Sequence, residues 1–120
     1  MAAERHRIKS GTWIDDGPLT IRAERGPKEL YVVEVYGELD LSCIETLEAE
    51  LRRIEATDVD QIILDLSGLD FIDSTGIRIL LEAEARSRQD SSRLSFLRGQ
   101  GSVERVLELV QADSFLTFAN

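Results

Sequence analysis

Residues 61–85, QIILDLSGLDFIDSTGIRILLEAEA, change their hydrophobic period midway. Gln61-Ile62-Ile63-Leu64-Asp65-Leu66 is a compact apolar run of strand length, the pattern produced by burial on both faces of a parallel sheet. Ser67-Gly68-Leu69-Asp70 is rich in turn-forming residues and is expected to end that strand. From Ser74, Ile77, Leu80, Leu81 and Ala85 recur at helical spacing, with Arg78, Glu82 and Arg86 on the opposite face and no breaker before about Gln89. Glu84 falls on the apolar side, which predicts that the helix is rotated from this frame or frays there.

Working outward, Leu19–Glu24 alternates and Leu30–Tyr36 is β-branched and aromatic, with Gly26-Pro27 between them, as in two antiparallel strands. Gly37-Glu38-Leu39-Asp40 closes the second. Leu41, Ile44, Leu47, Leu51 and Ile54 then trace one helix face. Beyond the central segment, Arg93–Arg98 alternates like a strand, Val103, Val106, Leu107 and Val110 mark a last helix, and Phe115–Phe118 reads as a short strand. The first eighteen residues show no sustained period and end in the turn-prone Asp15-Asp16-Gly17-Pro18, so residues 1–18 are expected to be an N-terminal extension and 19–120 the folded domain.

The expected order is ββαβαβαβ: a single α/β domain with a mixed, mainly parallel sheet and right-handed crossover helices. Parallel strands share a carboxyl edge. The segments Asp40–Ser42 and Asp70–Thr75 are therefore expected on one rim, where open α/β sheets place their sites.

A chain of 120 residues is long enough to bury a core without disulfides. Its lone cysteine, Cys43, has no internal partner and is expected to be a small buried filler near the first helix. The net charge of −9, with the basic residues scattered, argues against direct nucleic-acid binding. No leader or long apolar run is evident, so a cytoplasmic location without membrane contact is expected.

Asp73-Ser74-Thr75-Gly76 admits three readings. As a helix start, Asp73 or Ser74 is an N-cap, a contact worth about 1 kcal/mol. Gly76 in the first turn costs up to about 1 kcal/mol relative to alanine, which suggests that something approaches the helix start closely. As a catalytic motif the stretch lacks partners: an aspartic protease places glycine two residues after the aspartate, and a serine nucleophile requires a base. The only histidine is His6, in the extension, and the only lysines are Lys9 and Lys28. A phosphoaspartate receiver would need an early acidic pair, a phosphorylated aspartate after the third strand and a lysine near the end of the fifth, whereas Asp15-Asp16 is expected in a turn before the first strand and no lysine follows Lys28. Asp65, Asp70 and Asp73 could supply magnesium ligands, but nothing in their spacing fixes a geometry, and no metal or cofactor is expected. Trp13 is expected to make a capping contact. The third reading is a modification site.

Gly37-Glu38-Leu39-Asp40, Ile62-Ile63-Leu64-Asp65-Leu66 and above all Phe71-Ile72-Asp73-Ser74-Thr75-Gly76, in this order and spacing, resemble the bacterial anti-sigma factor antagonists, which are STAS domains. The resemblance covers about Leu19 to Phe118. It implies a non-enzymatic partner switch. The unphosphorylated form binds an anti-sigma factor that is also a serine kinase and so frees the sigma factor; phosphorylation at the position of Ser74 ends binding, and a phosphoserine phosphatase restores it. Asp40, Asp73, Ser74, Thr75, Gly76, Arg78 and Ile79 are the expected docking residues, with Arg78 and Ile79 on the outward side of the helix. Two alternatives remain open: a STAS scaffold within a signalling complex without a kinase cycle, and a domain that binds a small anionic ligand at the Ser74 helix start. A phosphate there would lie where helix N–H groups and the dipole tolerate an anion, so disruption is expected at the interface and not in the domain itself.

Overall fold

The computed structural model describes residues 11–120. Its sheet has five strands in spatial order β1 (Thr12–Asp16), β2 (Leu19–Gly26), β3 (Leu30–Leu39), β4 (Gln61–Ile72) and β5 (Leu94–Leu97). The first three pair antiparallel, while β3–β4 and β4–β5 pair parallel. Helices α1 (Ile44–Glu55) and α2 (Ser74–Gln89) make the two crossovers, and α3 (Gly101–Leu109) follows β5. Leu19, Ile21, Val33, Val35, Leu64, Leu66 and Phe96 are fully buried on one sheet face against apolar residues of the helices. The intervening Arg22, Glu34 and Asp65 are only partly covered, so β4 is not buried equally on both faces.

The mixed α/β architecture and the parallel centre are as the periodicities predict, with four corrections. Thr12–Asp16 is not patternless. It pairs with β2 through a two-residue Gly17-Pro18 turn, and Trp13 stacks on Tyr36 at 6.4 Å and 14°. The pairing supplies what alternation alone did not, because a five-residue edge strand gains its order from a neighbour. Residues 1–10, including His6 and the basic Arg5, Arg7 and Lys9, lie outside the described residues.

Second, Ser67–Asp70 does not end β4. The strand runs on to Ile72 through two register shifts against β3, between Glu34 and Tyr36 and between Gly37 and Glu38. Each shift places an extra β4 residue against its partner, and bulges of this kind accept the residues that otherwise make turns. Gly68 is needed there, because a Cβ would lie 2.4 Å from the Tyr36 ring and 2.8 Å from the Val35 carbonyl. Third, α1 begins at Ile44, and Leu41 stands in the preceding turn, 69% exposed. Fourth, Phe115–Phe118 makes only one parallel bridge, Phe96 to Phe118, after a 3-10 turn at Ala112–Ser114. Two backbone hydrogen bonds with Phe96 and the side chain of Glu84 hold the C-terminal segment, and Val110 falls just beyond α3.

Candidate functional site

The two bulges displace the end of β4 so that Asp73 emerges beside the end of β3, and the expected shared rim forms. The Asp73 N–H donates to the Leu39 carbonyl at 3.2 Å. Its side chain is the α2 N-cap: Oδ1 accepts from the Gly76 N–H at 2.9 Å and from the Thr75 hydroxyl at 2.5 Å. Oδ2 accepts from the Leu41 N–H at 3.2 Å, across the gap between the two loops. One carboxylate thus starts α2 and ties the β3–α1 turn to it. Partial burial pushes the Asp73 carboxyl up, but the bonds from Thr75, Gly76 and Leu41 outweigh it and hold the group below the ordinary carboxylate range.

The need for glycine at position 76 is internal. A Cβ there would lie 2.8 Å from Ile72 Cγ1, 2.9 Å from the Leu39 carbonyl oxygen and 3.0 Å from Leu39 Cγ. What approaches the helix start is therefore the end of β3, and Gly76 itself is buried. Ile79 is likewise turned inward, 2% exposed, contrary to the outward position expected from its neighbour Arg78. The buried face of α2 comprises Gly76, Ile77, Ile79, Leu80, Ala83 and Glu84, and Ala85 is exposed. The helix is rotated from the frame drawn through Leu81 and Ala85, as the position of Glu84 anticipates.

Five of the expected residues reach the surface or its margin. Ser74 and Arg78 are exposed, Asp40, Asp73 and Thr75 partly so. No hydrogen bond among the described residues involves the Ser74 hydroxyl. The Asp40 Oδ1 accepts from the Ser42 hydroxyl at 2.6 Å and the Ser42 N–H at 2.9 Å, which makes a tight turn and holds the Asp40 carboxyl below its ordinary range. Arg78 pairs with Glu82 at 3.0 Å. Sequence reading missed two apolar members, Leu41 and Phe71, which is 47% exposed. Leu41 was hidden by its agreement with the helical period. Phe71 could have been found from the alternation of β4 only with the bulges known.

The rim carries carboxylates, the hydroxyls of Ser42, Ser74 and Thr75, and apolar side chains, and no side chain among the described residues hydrogen-bonds the Ser74 hydroxyl as a base would. No group of three metal-ligating side chains capable of holding an ion occurs among those residues. Asp65 accepts from the Ser67 N–H at 2.9 Å on the sheet face away from the core and does not join Asp73. Cys43 is buried; burial pushes its thiol up, so it stays protonated at neutral pH, and it donates to the Glu38 carbonyl at 3.3 Å. No helix among the described residues is long and apolar enough to cross a membrane.

The sequence model of the STAS domain matches residues 21–120. Among solved structures, an anti-sigma factor antagonist from Mycobacterium paratuberculosis superposes with a TM-score of 0.73 at 22% identity, over 91% of this chain and 92% of that one. Unphosphorylated SpoIIAA, also an anti-sigma factor antagonist, gives 0.63 at 24% identity over 83% and 88%. The phosphorylated form of SpoIIAA, a Bacillus cell fate determinant, gives 0.63 at 23% over 83% and 91%. Likeness at this level of identity establishes a shared fold.

Proposed function

The chain belongs to the STAS domain family, and from that membership we propose that it is an anti-sigma factor antagonist, a non-enzymatic cytoplasmic switch controlled at Ser74. The observation that carries this reading is the Ser74 hydroxyl: exposed, without a base, and set on a helix start that Asp73 caps. Such a hydroxyl suits a substrate of another protein better than a nucleophile of its own. The unphosphorylated rim offers Leu41 and Phe71 as apolar contacts, with Asp40, Ser74, Thr75 and Arg78 around them, to an anti-sigma factor that is also a serine kinase. Gly76 and Ile79 support this surface from beneath.

In the switching step Ser74 Oγ attacks the γ-phosphorus of ATP. The new O–P bond forms as the bond to the bridging oxygen breaks, ADP leaves, and the hydroxyl proton passes to a base of the kinase. The rim gains a charge of about −1.5 to −2. Each partner carboxylate about 4 Å away then costs about 1.5–2 kcal/mol in water and about 6–8 kcal/mol at an effective dielectric of about 20. Since about 1.4 kcal/mol is tenfold in affinity, one such contact is enough to release the partner, and a phosphoserine phosphatase resets the cycle.

The test mixes the purified protein with its cognate kinase and Mg-ATP, maps phosphate by mass spectrometry, and measures partner binding. A single phosphate on Ser74 is expected. Ser74→Ala should retain binding and accept no phosphate, while Ser74→Asp should bind at least about tenfold more weakly. Phosphate elsewhere, or unchanged affinity of Ser74→Asp, rejects the reading.

A further inference from the structure

The phosphate that the proposed switch places on Ser74 enters surroundings already committed to another anion. The Gly76 N–H and the Thr75 hydroxyl donate to Asp73, and the Thr75 N–H faces the same carboxylate. The Thr75 and Gly76 N–H groups at the helix start are thus already turned to its own cap. Asp40 lies close enough to Asp73 for the two charges to oppose each other, and both are held ionised at neutral pH. A dianion here needs a cation, and the first two turns of α2, Ser74 to Leu81, contain one, Arg78.

Ser74, Arg78 and Glu82 are spaced four residues apart, so they form one stripe along α2, each a turn from the next. Arg78 is now paired with Glu82, and both side chains are about half exposed, at 53% and 44%. That pair runs in the less favourable direction, with the base N-terminal to the acid. A phosphate on Ser74 would put the acid N-terminal to Arg78, the favourable direction, and would bring about twice the charge of a carboxylate. The planar guanidinium can also engage two phosphate oxygens at once. Direction, charge and geometry all favour exchange.

We propose that phosphorylation of Ser74 transfers Arg78 from Glu82 to the phosphate, so that modification adds negative charge to the rim and withdraws its cation in the same step. The inference rests on Ser74 being the modified residue, as set out above. The exchange keeps the modified domain folded by replacing one pair on α2 with a stronger one. It also deprives an acidic group on the partner of its contact with Arg78, leaving Glu82 unpaired at the surface.

The experiment installs phosphoserine at position 74 of the full chain during translation, without the kinase, and titrates the phosphate by phosphorus NMR. In Arg78→Gln the second phosphate pKa should lie about 0.15–0.4 unit above that of the otherwise unaltered phosphoprotein, the size expected when the one charge gained in that ionisation loses an exposed helical partner. In Glu82→Gln, where Arg78 has no competitor, it should lie at or below that of the unaltered phosphoprotein. Identical titration of the Arg78→Gln and unaltered forms, or a raised value in Glu82→Gln, overturns the proposal. Circular dichroism of each variant checks that the helix is intact. Because no kinase or partner is used, failure of the switch and failure of the exchange are read separately.

Discussion

Asp73 and Gly76 do different work within one turn of helix. Asp73 supplies acceptors that α2 and the β3–α1 turn both need, whereas Gly76 supplies the absence of a side chain. Gly76→Ala sets a helix-propensity gain of up to about 1 kcal/mol against overpacking that typically costs about 1–3 kcal/mol. One of the clashing atoms is the Leu39 carbonyl oxygen, which is backbone and cannot rotate away. We therefore expect a net loss of about 1–2 kcal/mol in urea unfolding; a gain would mean that β3 yields at no cost. For Asp73 the sign of the pH dependence follows from its depressed folded pKa. Its stabilisation is fully present above the unfolded value of about 3.9 and is lost as pH falls through the lower folded value. Asp73→Asn should therefore be less stable than the unaltered protein at neutral pH and lose less on acidification below about pH 4. Parallel urea midpoints across that range would contradict the assignment.

At the level of elements, the C-terminal segment and β4 show why local pattern was an incomplete guide. Phe115–Phe118 has the composition of a strand, yet it makes one bridge to β5. It is held by Glu84 of α2, whose buried carboxylate accepts from the Thr117 N–H and hydroxyl, both at 2.9 Å, and from Arg88 at 2.8 Å. Burial pushes the Glu84 carboxyl up, but Arg88 and Thr117 prevail and keep it ionised at neutral pH. Glu84→Ala should cost about 1.5–3 kcal/mol, because it removes the charge-assisted hydrogen bonds that tie Thr117 and Arg88 to this carboxylate. Amide exchange should rise first at residues 115–119; unchanged protection there would show that Phe118 and the Phe96 bridge suffice. The β4 bulges were illegible for a related reason. Ser67-Gly68-Leu69-Asp70 favours a turn in isolation, and only pairing with β3 converts it into bulged strand. The helix α2, with its longer period, was readable apart from a rotation that Glu84 signalled.

For the whole molecule, the first strand is the part most in need of its context. Removing residues 1–18 strips β1 from β2, deletes the Trp13 stack on Tyr36, and bares a new sheet edge. Exposed edges template self-association, so the truncated chain should be less stable by urea unfolding and should elute earlier on size exclusion as concentration rises. A monomer of unaltered stability would return β1 to the status of a dispensable extension. By itself the sequence determined the α/β class, the antiparallel start, the parallel centre, and the meeting of Asp40 and Asp73 on one rim, because hydrophobic period and crossover handedness are local or nearly local properties. It also marked Ser74 as a hydroxyl without a base. Only the tertiary structure decided that β1 joins the sheet, that Leu41 and Phe71 face outward while Ile79 faces inward, and that Gly76 makes room for β3. Those outcomes depend on register, bulges and the few tenths of an ångström between non-neighbouring atoms, quantities that exist only once strands and helices have packed.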